Sequence, residues 1–344
     1  MSTSTPSSPG AQERARGCLI ALAVGDAMGA PTEGMTRRAV AEQFGRITDF
    51  TDDTSTGTDD TEYAVMTARA VITHGRDLTA DHVAADWLAA LEQQKDGYAG
   101  AGFSEMGALA ALRQGIRPPH SGRRCAESWS DGAAMRAAPI GIFHAGDPLA
   151  AAELAEREAS VSHSRDGIDG ARVIAAAVSV AMTGAPVPEI VAAGLVAVDP
   201  DSWTARTLAR ALDIAHGRDG GRDEGHGGID ADDTEAREQR LYDEIGIVGY
   251  PWADSAPEAV ALTMAAVVLA DGDPVRAIGI GVNMGRDSDT IAAMAGAICG
   301  ASAGIGALPS AWTERVRLVH GVCVTATRGA DLLVVADALM AVRA

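Results

Sequence analysis

From Ile291 to Ile298 the chain reads Ile-Ala-Ala-Met-Ala-Gly-Ala-Ile, and side chains this small leave few ways to fold. A helix built from them buries apolar surface only where a neighbour comes close, and a strand so poor in β-branched and aromatic residues is disfavoured. Ala and Gly abound along the whole chain, aromatics make up only 4%, and β-branched alternation is rare. The expectation is an all-α fold whose helices pack through small side chains. Hydrophobic residues, at 47%, suffice for a substantial core. The length of 344 residues would by itself suggest two domains.

The same run is preceded by Asp287-Ser288-Asp289-Thr290, and Thr58-Asp59-Asp60-Thr61 precedes a second apolar-periodic stretch through Tyr63, Val65, Met66, Ala68, Val71 and Ile72. Hydroxyl and acid groups followed by core-facing residues are how a helix begins. One such stretch is accounted for by capping and by the helix dipole. Two of them, each with doubled acids, point further. Adjacent carboxylates repel unless something positive neutralises them, and two such helix starts brought together would surround hard cations with oxygen. A calcium EF-hand beginning at Asp52 fails: Gly57 falls correctly, but Tyr63 stands where the bidentate acid belongs. His216 and His226 lack partners at ligand spacing.

The formal net charge of -19 argues against a nucleic-acid groove, which needs a basic stripe. Cys18, Cys125, Cys299 and Cys323 are scattered without a CxxC pair, as in reduced, partly buried thiols of a cytoplasmic protein. The N-terminus lacks the apolar segment of a signal peptide, and apolar runs such as 259–270 are too short to span a bilayer. Helices are expected at 17–28, 80–94 (with Trp87 in the core), from 104, at 153–162, 235–244, 257–269, and as a pair within 312–342. Residues 98–103 read as a glycine-rich loop, and 216–234 as a mobile insertion of Gly, Asp, Arg and His. Asp26 sits beside glycines in an apolar context and needs a partner. Ser128-Trp129-Ser130-Asp131-Gly132 is a hydroxyl-rich turn that is either an ordinary cap or an anion-holding helix start. His163 is either a capping histidine or a substrate contact.

Taken in order, Gly17-Cys-Leu-Ile-Ala-Leu-Ala-Val-Gly-Asp-Ala-Met-Gly-Ala-Pro-Thr-Glu33, Thr58-Asp-Asp-Thr61, Gly132-Ala-Ala-Met-Arg136, Ser162-His163 and Asn283-Met-Gly-Arg-Asp-Ser-Asp-Thr290 resemble the ADP-ribosylglycohydrolase family. That family includes the dinitrogenase reductase activating glycohydrolase and the ADP-ribosyl-acceptor hydrolases. The resemblance covers about residues 14 to 340. It implies a compact single all-α domain, here 14–344 after a flexible tail at 1–13, with two Mg²⁺ or Mn²⁺ ions at the end of a cleft. It carries the metal-ligand role onto Thr58, Asp59, Asp60, Asp287, Asp289 and Thr290. Glu33 becomes an acid near the metals that gates or orients substrate, and Asp26 a residue steadying the ligands. Ser128, Trp129, Ser130, Asp131 and Gly132 become a loop gripping the diphosphate-ribose, and His163 a substrate contact.

The activity so implied is metal-assisted hydrolysis of the N- or O-glycosidic bond at ribose C1″ of an ADP-ribosylated protein or small acceptor. Asp59 or Asp60 takes the proton of the attacking water. Two residues depart from the family pattern. Asp131 stands where Asn is common and would repel a diphosphate. Arg286 stands where Gly often precedes the last motif, and its guanidinium either offsets negative charge or narrows the cleft. Two alternatives therefore stay open: the same chemistry on a nucleoside- or nucleotide-like ribosyl compound, and a non-catalytic, crystallin-like structural role.

Overall fold

The structure, a computed structural model, describes residues 8–92, 94, 102–218, 231–246 and 248–343. Among these residues the chain forms eighteen α-helices and no named strand. Two isolated bridges, Ser130 with Ser255 and Leu318 with Asp331, are its only β pairings. Six helices frame the site and are labelled in chain order: α1 (Ala11–Gly29), α2 (Asp59–His74), α3 (Asp166–Ala181), α4 (Ala256–Leu269), α5 (Pro274–Met284) and α6 (Ser288–Ala303).

The Ala-rich run became the heart of the molecule. All but the last two residues of α6 are buried, and so are fifteen of the nineteen residues of α1. The two helices lie backbone against backbone because glycines face each other across the contact. A Cβ added at Gly25 would stand 2.3 Å from the Ala292 carbonyl, one at Gly29 2.4 Å from the Asp289 Cα, and one at Gly300 2.3 Å from the Gly17 oxygen. No side chain fits there, so the helix-start acids of α6 are drawn to the C-terminal end of α1. Helices α4 and α5 pack on the remaining faces of α6, and α3 on α4. One apolar cluster runs from Ala15 to Leu339, so length alone misjudged the domain count.

Element boundaries moved for local reasons. Helix α1 begins at Ala11, inside the stretch expected to be a tail, where the Gly10 amide donates to Glu13 Oε2 at 3.1 Å and closes a cap. The pair expected within 312–342 is shorter, Ser310–Val316 and Leu332–Val342, separated by a loop. Trp87 is buried, as are Cys18, Cys299 and Cys323, while Cys125 is half-buried. His216 caps its helix end by bonding the Leu212 carbonyl. His226, most of the glycine-rich 98–103 loop, residues 1–7 and the middle of the 216–234 insertion lie outside the described residues. No helix among the described residues is long and apolar enough to cross a membrane.

Candidate metal and substrate site

Asp26 closes the start of α2 from outside it. Its carboxylate accepts from the Thr58 amide at 2.8 Å, the Thr58 hydroxyl at 2.7 Å, the Thr61 amide at 3.0 Å and the Thr61 hydroxyl. Thr58 makes no side-chain cap of its own, so a residue of α1 does that work. Gly57 lies against the same carboxylate, where a Cβ would come 3.2 Å from its oxygen. The start of α2 is thereby locked to the end of α1, which is itself locked to α6.

The segment after α1 is docked by equally specific bonds. The Thr32 hydroxyl meets Ser288 Oγ at 2.9 Å, and the Ser288 hydroxyl donates to the Gly29 carbonyl. The Gly34 amide donates to the Arg286 carbonyl at 2.7 Å and the Arg286 amide to the Met35 carbonyl at 2.8 Å. Gly285, at φ 66°, lets the chain turn where a Cβ would strike Met35. These contacts set Glu33 beside Asp287.

Two carboxylate trios result. Oxygens of Asp26, Asp60 and Asp289 lie within 4.8 Å of one another, and so do oxygens of Glu33, Asp287 and Asp289. Asp289 belongs to both. Thr290 donates to Asp60 across the gap at 3.3 Å. Burial first, and then the charges of Asp26, Asp59 and Asp287, hold Asp60 well above the usual carboxylate range. Asp289 is raised in the same way by burial and by Asp287, Asp60 and Glu33. Asp59, half-buried at the helix start, is raised by loss of water and by Asp26 and Glu105. Glu33, open to solvent on one side at the mouth, is pushed up to about 7 by partial loss of water and then by Asp287, Asp26 and Asp254.

The donor set fits a hard divalent cation. Asp60 Oδ1, Asp289 Oδ1 and Asp131 Oδ2 are buried and have no hydrogen-bond partner. A buried carboxylate oxygen without a partner is costly, and a cation bound by oxygen alone removes the cost.

The structure separates the loop residues that were expected to act together. Asp131 is buried, and its carboxyl is held well above the usual carboxylate range by burial and by the charges of Asp287, Asp254 and Asp60. It faces the acidic centre. Gly132 lies under Glu105, whose Oε1 would be 2.5 Å from an added Cβ. Ser130 and His163 are buried in a polar network beneath the loop. Ser128 and Trp129, with the edge of His163, border a groove of about 1070 Å³, which also takes in Arg123, Arg165 and Trp203. The acids of that groove are engaged: Asp81 with Arg117, Glu156 with Arg172, and Asp166 with Thr204. Arg123 and Arg165 have no ion-pair partner among the described residues. Of the two roles expected for Arg286, the structure favours the offsetting of negative charge. Its guanidinium pairs with Glu258, Nε to Oε1 at 2.6 Å, and takes the carbonyls of Tyr250, Pro251 and Trp252. It staples that loop to α4, and its charge bears on Asp287 as well as on Glu258.

Three acids escaped the sequence reading. The Asp254 carbonyl accepts from the Asp131 amide, and the Asp254 carboxyl is pushed up to about 6 by burial and by Asp287. Glu105 and Glu158 hold the fully buried Arg136. In sequence each is an isolated acid, indistinguishable from a solvated one. The one available signal was Arg136, an arginine directly after an apolar Ala-Ala-Met run, which needs an acid partner if buried.

The chain is thus a helical domain with an oxygen-lined acidic centre at the meeting of helix ends. The family model for ADP-ribosylglycohydrolase matches residues 7–344, and the chain belongs to this family. It is a glycosidase-type hydrolase of the class acting on ADP-ribosyl compounds. It is 32% identical over 333 residues to the uncharacterized protein YegU of Escherichia coli, covering 90% of this chain and 93% of that one. It is 26% identical over 312 residues to the ADP-ribosylarginine hydrolase Tri1 of Pseudomonas putida, covering 89% of this chain and 75% of Tri1. A solved ADP-ribosylglycohydrolase-related protein complex superposes with a TM-score of 0.66 at 23% identity, over 97% of this chain and 99% of the other, and so shares the fold.

Proposed function

We propose that the acidic centre holds two divalent cations, Mg²⁺ or Mn²⁺, and that the protein hydrolyses the C1″ glycosidic bond of an ADP-ribosylated acceptor. The observation that carries this reading is the pair of carboxylate trios sharing Asp289. One ion would be held by Asp26, Asp60 and Asp289, the other by Glu33, Asp287 and Asp289, with Thr58, Asp59 and Thr290 supplying further oxygen at the rim. When bound, the ions supply Lewis acidity and a water that ionises near neutral pH.

The residues do the rest. Asp59 or Asp60 accepts the proton of the attacking water. Water adds to C1″ as the bond to the acceptor nitrogen or oxygen breaks, and the acceptor leaves protonated. Glu33, at the mouth, orients the ribose. The Ser128–Gly132 loop forms one wall, with Trp129 held edge-on against Tyr250 at 4.4 Å between ring centres.

The groove beyond the loop favours an anionic ligand. Arg123 and Arg165 line it without ion-pair partners among the described residues, while its acids are engaged. Asp131, turned towards Asp287, does not face that groove, which weakens the case for a ligand less charged than ADP-ribose. Elemental analysis with calorimetry tests the metal centre: two Mg²⁺ or Mn²⁺ per chain are expected. Zinc held by His216 and His226, or no divalent ion, would refute it.

A further inference from the structure

Beneath the loop lies a closed ring of buried side chains: Arg136, Ser162, His163, Ser130, Ser104 and Glu105. Arg136 Nη2 is 2.8 Å from Ser162 Oγ, and Ser162 Oγ is 2.7 Å from His163 Nδ1. His163 Nε2 is 3.0 Å from Ser130 Oγ, and Ser130 Oγ is 3.0 Å from Ser104 Oγ. Ser104 Oγ is 2.5 Å from Glu105 Oε2, and Glu105 Oε1 closes the ring on Arg136 Nη1 at 2.7 Å. Each member is at most 4% exposed.

Both ends dictate where the protons lie. A guanidinium only donates, so Ser162 Oγ accepts from Arg136, and its own hydrogen has His163 Nδ1 as its acceptor. A carboxylate only accepts, so the Ser104 hydrogen goes to Glu105. Ser104 Oγ then accepts from Ser130, and Ser130 Oγ accepts from His163 Nε2–H. The two ends demand the same neutral tautomer, with the proton on Nε2. The opposite tautomer would set the lone pairs of Ser130 and Ser104 against each other and leave the Ser162 hydroxyl without an acceptor. Burial also pushes the imidazole down to about 3, with Arg136 adding to the effect against Glu105.

We infer that His163 is a positioning residue: as a fixed Nε2–H imidazole it holds Ser130, and through Ser130 the loop that presents Asp131 to the acidic centre. The hydroxyl of Ser130 is engaged on both sides by the ring. The turn carrying His163 grips the loop a second time, since the Ser164 amide and hydroxyl both bond Ser128, each at 2.9 Å. Glycines make the room: a Cβ at Gly122 would meet the His163 carbonyl at 2.5 Å, and one at Gly167 the Ser128 carbonyl at 2.4 Å. The functional weight of this role rests on the reading above, in which the loop walls the substrate site.

The direct test needs no substrate. Nitrogen-15 NMR of the histidine-labelled full chain, with the His163 signals assigned by their loss in His163→Gln, should show a protonated Nε2 and an unprotonated Nδ1, unchanged from pH 5.5 to 8.5. A protonated Nδ1, or titration within that range, overturns the proposal even if the substrate assignment is correct. Turnover of an ADP-ribosylated substrate gives the second test. His163→Ala and Ser130→Ala should each lower kcat/KM on the order of tenfold, as lost buried hydrogen bonds do, and the double variant should lose no more than either alone. Losses that multiply would mean independent contacts and contradict the ring. If the wild type turns over no such substrate, the substrate reading fails and the NMR result still decides the proton arrangement.

Discussion

Asp289 is the residue on which the site converges. It stands in both carboxylate trios, it is buried, and one of its oxygens has no partner. Asp289→Asn keeps the shape and removes the charge. Cation affinity measured by calorimetry should fall at least about tenfold, and turnover should be lost with it. Retained affinity would mean that the trios do not hold the ions. Asp131 carries an opposed pair of outcomes. If its carboxylate faces the acidic centre, Asp131→Asn should weaken Mg²⁺ binding while leaving ADP-ribose affinity at saturating metal within about twofold. A tighter grip on ADP-ribose without change in metal affinity would restore the idea that this carboxylate repels a diphosphate. The same acids govern stability against pH. Their carboxyls are raised in the folded protein, Asp254 to about 6 and Glu33 to about 7, against about 4 for unfolded chains. A raised carboxyl penalises the folded state once ionised, so its contribution is most favourable below about pH 4 and declines as pH rises through 6 to 7. The metal-free protein should therefore show a falling Tm from pH 5 to 8, and saturating Mg²⁺ should remove the decline. A metal-free Tm that rises over this interval would contradict the charge balance described.

At the scale of elements, the α1–α6 contact does the positioning. Gly25→Ala drives a Cβ to 2.3 Å from the Ala292 backbone, where neither helix can yield locally. Overpacking of this kind costs about 1–3 kcal/mol. Gly279→Ala provides the contrast, for it lies inside α5 with nothing within 4 Å of the added atom. It should stabilise by about 0.5–1 kcal/mol. Denaturant unfolding of the two variants distinguishes close packing from mere helix propensity; a shift of the same sign in both would refute it. These elements also show what the chain discloses before it folds. The Ala-Gly composition of 291–298 and of 17–30 was enough to read helices packed through small side chains, because nothing else could be buried. The two acidic helix starts were legible because each carries doubled acids before an apolar run. Which acids join them was not legible. Asp26, expected to steady the ligands, does hold the start of α2 and also stands within one carboxylate trio, while Asp254, Glu105 and Glu158 lie on separate segments whose local sequence is that of any polar surface. The direction of Asp131 was hidden for the same reason: it depends on the bond from its amide to the Asp254 carbonyl, a partner 123 positions away. Which acid Arg286 offsets was hidden because its counter-ion, Glu258, sits on another helix.

For the molecule as a whole, one helical body brings three segments far apart in sequence to a single acidic centre, and an extensive apolar cluster supports the cost of burying those charges. That cost has a functional reason only if cations are bound and the bond at C1″ is cleaved. The most direct measurement is release of ADP-ribose from ADP-ribosylated arginine, serine and small-molecule acceptors, run beside plain nucleosides, with Mg²⁺ or Mn²⁺ and with EDTA. Release is expected from at least one ADP-ribosylated acceptor, with its loss in EDTA, its return on adding back the divalent ion, and no cleavage of the nucleosides. Release that persists in EDTA, or cleavage confined to the nucleosides, would contradict the proposed function.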